Sequence, residues 1–263
     1  MFKMLWNKML LFFGLKSKPK KELLPDWLSD TGQEMKAAGR NYLASMGIYI
    51  FNRKLLFELL QHEFLQATDF GKEIIPQSIH QYKVASYQYS GYWTDIGNIH
   101  SFFEANLELT KDLPAFDLFD SNRTIYTRPR MLPPAKISGT TLEKALVAEG
   151  SIIHASRLEH SVIGIRSRIG HGTTIVSSYL MGSDYYETLE EIESAAKDGT
   201  PPLGVGERCY IHNAILDKNV RIGNDVRIDG GSHLENADHE LYTVKDGIVV
   251  VKKGAILPSG FVI

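Results

Sequence analysis

In the C-terminal half of the chain, aliphatic residues recur every sixth position. Val147 and Ile153 set the step, which Ile169 and Ile175, Val205 and Ile211, and Ile222 and Ile228 repeat. Each hexad carries an aliphatic residue, then a small or acidic residue suited to a corner, then polar residues suited to an outer face. One such unit is too small to bury its own apolar side and needs neighbours above and below, so the pattern predicts a left-handed parallel β-helix. A β-sandwich of period-two strands is the rival, but strand alternation does not keep a six-residue register across turns. Residues 185–202 (YYETLEEIESAAKDGTPP) interrupt the hexads and read as a polar, helical insertion.

Upstream the periods change. Residues 42–51 (YLASMGIYIF) form a dense apolar run that predicts a buried strand. Asn52 can cap a helix carrying Leu55, Leu56, Leu59 and Leu60, and Asp69 with Gly71 opens another through Ile74 and Ile75. Residues 83–89 and 92–93 read as strands, and residues 99–109 as an amphipathic helix with Phe102, Phe103, Leu107 and Leu109 inward. Strands alternating with helices in so short a stretch describe part of an α/β layer. Pro129, Pro133 and Pro134 then break the chain before the hexads. Residues 19–40 suggest a short helix or two.

The first fourteen residues (MFKMLWNKMLLFFG) are apolar and too short to span a bilayer as a helix. Lysines 16, 18, 20 and 21 follow where a signal peptide would place a cleavage site. An interfacial helix and a packing segment both stay open for them.

The chain has 263 residues, enough for two domains, and a formal net charge of -2, which excludes a global basic field for nucleic acid. Its one cysteine, Cys209, excludes an internal disulfide and fits a reducing cytoplasm; within a hexad it suits core packing. The nine histidines show no paired metal spacing. His154, His160 and His171 fall on the hexad coils, which raises the alternative of a hexapeptide-repeat acyltransferase using a histidine base.

Several longer stretches carry a resemblance: YLASMGIYIF at 42–51, DFGKEIIP at 69–76, GYWTDIGNIHSFFEANLELT at 91–110, LMGSDYYET at 180–188, AILDKNVRIG at 214–223 and DGIVVVKKGAILPSG at 246–260. With them the chain resembles the ADP-glucose pyrophosphorylase (glucose-1-phosphate adenylyltransferase) family, in its cyanobacterial and plant branch. The resemblance implies a partial nucleotidyltransferase (Rossmann-like) α/β layer over residues 15–122, followed by the β-helix over 123–263. It implies a reaction of ATP with glucose 1-phosphate, giving ADP-glucose and pyrophosphate with magnesium, in glycogen or starch synthesis. It also implies a homo-oligomer, a tetramer in the family, without nucleic-acid or membrane partners. The family's glycine-rich G-G-x-G-T-R-L loop, which cradles the ATP phosphates, does not occur in this sequence. The expectation is therefore an N-terminally truncated member, inactive alone, with a regulatory subunit or a gene fragment as the alternative.

Carried over residue by residue, the resemblance assigns no catalytic residue. It places a sugar-phosphate contact at Lys18 within Leu15-Lys16-Ser17-Lys18-Pro19, where the family has F-x-E-K-P. Ser45 would be a glucose contact or a satisfied core hydroxyl. Asp95 would hold magnesium or the sugar phosphate, or cap the helix that follows. Arg166, Lys218 and Lys253 match positions that bind a phosphorylated effector such as 3-phosphoglycerate; each alone also reads as a solvated cation.

Overall fold

The computed structural model describes residues 28, 30–37, 39, 41–43, 45–89 and 91–263. The chain divides into two compact units, Met1–Gly91 and Tyr92–Ile263. The expected boundary at residues 122–123 differs from this division because the helix Ile99–Glu108 packs onto the hexad coils.

The larger unit is a parallel β-helix. One face is a sheet of six strands, Lys136–Ile137, Ile152–Ile153, Arg168–Ile169, Gly204–Val205, Arg221–Ile222 and Ile256–Leu257, paired parallel throughout. The second sheet bends round a corner and supplies the other two faces. Within the strand Arg157–Ile163, residues 157–159 pair with Thr174–Val176, while Val162 and Ile163 pair with Tyr179–Leu180. Pairing through residues 169–180 is parallel on every side, as the hexad register predicts. Near the C-terminal end two antiparallel pairings are the exception: Tyr242–Lys245 lies against Ile248–Val251 on one side and Ala237–Asp238 on the other.

In-register pairing stacks like upon like. Ile153, Ile169, Val205, Ile222 and Leu257 form one interior ladder; Leu158, Ile175, Ile211 and Ile228 form a second; Ile163, Leu180, Leu216 and Val251 form the third. All are buried in one continuous core, and each large aliphatic removed from water contributes about 1.5–3 kcal/mol. Corners also carry buried hydroxyls, which satisfy backbone groups the strands cannot reach. Thr173 Oγ1 donates to the Gly206 carbonyl at 2.7 Å and accepts from the Cys209 N–H at 3.1 Å. Ser161 Oγ accepts from Ser178 N–H, and Ser178 Oγ from Ala214 N–H. Turning so sharply puts corner residues in the left-handed region, among them His160, Ser177 and Asn213 along one edge. At a different corner, after Leu180, Gly182 leaves no room for a side chain. At φ 79° an added Cβ would lie 2.1 Å from the Ile165 carbonyl oxygen.

The insertion folds as expected, into the helix Leu189–Lys197. Thr188 accepts from Glu191 N–H, and the Glu191 carboxylate accepts from Thr188 N–H, completing a capping box. Its base is pinned by Glu187, whose side chain is only 3 % exposed. Glu187 sits 2.6 Å from the Arg221 guanidinium and accepts the Leu203 N–H at 2.7 Å, while Arg221 donates to the Pro201 carbonyl at 2.8 Å. The helix Ile99–Glu108 is capped by Asn98, which accepts from Ser101 N–H. Its Phe103 and Leu107 lie against Ile215 and Ile248 on the outside of the coils, with Phe102, Tyr179 and Met181 around them.

The smaller unit is helical. Asn52 accepts from the N–H groups of Lys54 and Leu55 and so starts the helix Arg53–Glu58, which widens into a π-helical turn at Leu59–Glu63. Asp69 caps the next turn through Lys72 N–H, and Leu59, Ile74, Ile75 and Ile79 make the core. Here the structure corrects the sequence reading. Residues 42–51 are not a buried strand: Ile48 is 72 % and Ile50 is 98 % exposed. Residues 83–89 and 92–93 are not strands either, and Tyr87 and Trp93 face solvent. Apolar, β-branched composition favours a strand only where another strand takes up its backbone groups. Among the described residues of this unit no strand is present to do so.

Two outcomes test this account. Glu187→Ala leaves the Arg221 charge without its buried partner and is expected to cost about 3 kcal/mol, read as a lower urea midpoint. Glu187→Gln, which keeps an acceptor for Leu203 N–H, should cost less. Limited proteolysis of the wild type should cut first before residue 115 and leave the coils resistant, because stacked coils support one another whatever happens upstream. Uniform resistance along the chain would contradict it.

Candidate anion-binding corner

Turns of four successive coils stack in one column beside Gly182. Ser183 N–H donates to the Ile165 carbonyl, Asn219 N–H to Gly182, and Gly254 N–H to Lys218. That backbone column sets Arg166, Lys218 and Lys253 on stacked neighbouring turns, although they are far apart in sequence. Arg166 sits in the left-handed region at φ 56°, with its guanidinium donating to the Ser183 carbonyl at 3.4 Å and lying 5.6 Å over the Tyr186 ring. Tyr186 is held in turn by donating to the Gly150 carbonyl at 2.9 Å.

Sequence reasoning missed the centre of this cluster, Asp184. Its Oδ1 lies 2.6 Å from Lys218 Nζ and its Oδ2 lies 4.0 Å from Lys253 Nζ. Asn219 grips it twice: Asp184 N–H donates to Asn219 Oδ1 at 2.8 Å, and Asn219 Nδ2 donates to Asp184 Oδ2 at 3.1 Å. The Lys218 hydrogen bond, followed by that of Asn219, holds the Asp184 carboxyl below its ordinary range. The available signal was an acidic residue in the LMGSDYYET stretch, at the hexad corner shared by the lysines.

The remaining candidates do not join the cluster. Lys18, like residues 1–14, lies outside the described residues. Ser45 is exposed in the smaller unit, where it shares a hydrogen bond with the Tyr49 hydroxyl at 3.2 Å and accepts from Gly47 N–H, so it is not a core hydroxyl. Asp95 is exposed, and its Oδ1 accepts from Gly97 N–H at 2.9 Å. It does not cap the helix, since Asn98 takes that place. Nor does it make a magnesium site by itself: octahedral magnesium needs further oxygen donors, and no cluster of three acidic, histidine or cysteine ligands occurs among the described residues.

The coil-borne histidines form no common cluster: one pair stacks and the others have separate partners. His154 and His171 stack at 4.6 Å, His160 Nδ1 pairs with Ser177 Oγ at 3.2 Å, and His212 Nδ1 with Asp229 at 3.1 Å. Cys209 is buried, and burial pushes its thiol pKa up, which suits packing and not nucleophilic attack. No described helix is long and apolar enough to cross a membrane.

Asp184 also makes a testable pH dependence. A folded pKa below the ordinary 3.8 contributes stability that is present above that value and lost as pH falls through the lower folded one. Lys218→Ala should therefore lower the urea midpoint at neutral pH, by a small amount because the pair is solvent-exposed. The difference from wild type should shrink as pH falls below 3.8. A gap that widens on acidification would contradict the assignment.

Comparison with known families accounts for both parts. Residues 130–262 match the family model of the GLGC left-handed parallel beta-helix domain, and residues 14–112 match that of a nucleotidyl transferase. The first match alone covers half of the 263-residue chain, and it gives the coils their hand. The family match also identifies residues 14–112 as a nucleotidyl-transferase portion, although the described residues before Gly91 form helices without a sheet. A nucleotidyl transferase joined to a GLGC-type left-handed β-helix places this chain in the ADP-glucose pyrophosphorylase-like family.

Proposed function

We propose that this chain is a glucose-1-phosphate adenylyltransferase-type subunit of glycogen or starch synthesis, whose β-helix binds a phosphorylated effector. The joint presence of the nucleotidyl transferase and GLGC-type domains carries this reading. The cationic column of Arg166, Lys218 and Lys253 supports its regulatory half. Guanidinium and ammonium groups projecting from adjacent rigid coils suit a phosphoryl group, because the coils hold the charges in place and little ordering entropy is lost on binding. Three-carbon phosphorylated acids such as 3-phosphoglycerate are the effector class this corner would take.

On the substrate side, ATP and glucose 1-phosphate would react by attack of the sugar phosphate on the α-phosphorus, with Lys18, Ser45 and Asp95 as substrate contacts. Magnesium would require donors beyond Asp95. The subunit would work as a homo-oligomer in the reducing cytoplasm, in keeping with a single, buried, unpaired cysteine.

The chain as given carries no G-G-x-G-T-R-L loop. Without backbone N–H groups and an arginine for the leaving pyrophosphate, transition-state stabilisation falls by several kcal/mol, roughly a thousandfold in rate. This chain, purified alone with magnesium, ATP and glucose 1-phosphate, is expected to release no measurable pyrophosphate. Turnover at ordinary enzyme rates would overturn the dependence on that loop. Calorimetric titration with 3-phosphoglycerate tests the regulatory half. Binding is expected in the wild type and its loss in a Lys218→Ala, Lys253→Ala double variant.

A further inference from the structure

We propose that Asp184 is a built-in anion of the cationic corner, one that an incoming phosphoryl group must displace. This rests on the effector reading above and adds to it a competitor and a basis for selectivity. Asp184 spans both lysines, at 2.6 Å from Lys218 Nζ and 4.0 Å from Lys253 Nζ, and so lies between their ammonium groups. The pair is open: the side chains of Lys218 and Asp184 are 38 % and 42 % exposed, so a ligand reaches it from solvent.

Its tether allows exchange. Asn219 Oδ1 holds the Asp184 backbone, so the main chain stays in place when the carboxylate gives up Lys218 and the Asn219 Nδ2 bond to swing out. Arg166 meets no carboxylate within ion-pair distance among the described residues. It offers its guanidinium from the neighbouring turn, steadied over Tyr186. The turns beneath pack closely, since Gly182 admits no side chain.

The consequence is selectivity by charge. A monoanionic carboxylate brings no more charge than the one it replaces and arrives without the advantage of being tethered. A phosphoryl dianion brings a second charge and three acceptor oxygens, enough to engage both lysines and Arg166 together. Asp184 therefore turns a site that would attract any anion into one that answers to dianions.

Isothermal titration of the full chain with inorganic phosphate, and separately with acetate, tests this. In the wild type, phosphate is expected to bind and acetate not. Asp184→Asn keeps the size and the Asn219 contact but removes the charge, and should tighten phosphate ~3–10-fold while making acetate binding detectable. Asp184→Ser, checked by circular dichroism and thermal melting, should behave alike and stands in should the asparagine variant fail to fold. If wild type binds phosphate and neither variant tightens it, the competitor role is overturned and the cationic corner survives. If wild type, Asp184→Asn and Asp184→Ser all fail to bind phosphate, the corner reading falls and this inference with it. Retained binding in the Lys218→Ala, Lys253→Ala double variant would place the anion elsewhere and overturn both.

Discussion

Everything in the larger unit depends on parallel, in-register stacking of backbone upon backbone. Each coil offers its N–H and C=O groups along the long axis, and only another coil in the same register satisfies them. The interior aliphatics follow from that constraint. Ile175 meets Leu158 on one side and Ile211 on the other because the backbone pairs residue by residue. A register slip would expose whole ladders and strand the corner hydroxyls of Ser161, Thr173 and Ser178 without partners.

The same stacking fashions the candidate site. A charged side chain at one corner acquires neighbours from corners one coil away, so Lys218 and Lys253 become a pair without any local sequence signal. Asp184 enters the column after Gly182 has made the tight turn, and the long excursion that follows returns to the coil through the Glu187–Arg221 clamp. The motif LMGSDYYET thus combines several physical jobs: a glycine for backbone clearance, an acid for the lysines, a tyrosine under Arg166 and a buried glutamate that closes the insertion. The helix Ile99–Glu108 packs beside Met181, so the outer face of the coils next to this column is covered by a segment within the nucleotidyl-transferase match.

Among its described residues the smaller unit lacks that repetitive support. Its core rests on Leu59, Ile74, Ile75 and Ile79, and its helices depend on individual caps at Asn52 and Asp69. Aromatic contacts of Phe70 with Tyr49 and Phe51 hold the end of residues 42–51 beside the helical core, yet Ile48 and Ile50 stay in solvent. Among the described residues of this unit the support is local hydrogen bonds and a few apolar contacts, so opening is expected to cost little relative to the coils.

What the sequence by itself determined is whatever repeats or acts locally. The hexad period specified the β-helix, because a period belongs to the backbone geometry and survives any one residue's context. The caps at Asn52 and Asp69 and the helix after Thr188 were legible for a similar reason, since each is settled within a single turn. Recognisable motifs supplied the family and, through it, Arg166, Lys218 and Lys253. Tertiary structure alone decided the rest. Residues 42–51 have strand composition, but a strand exists only where a partner takes up its hydrogen bonds. The helix Ile99–Glu108 sides with the coils because apolar surface there, at Ile215 and Ile248, is what buries Phe103 and Leu107. Asp184 became the centre of the cationic corner only when the stacking of distant turns set its carboxylate between two lysines, a juxtaposition that no pattern along the chain encodes.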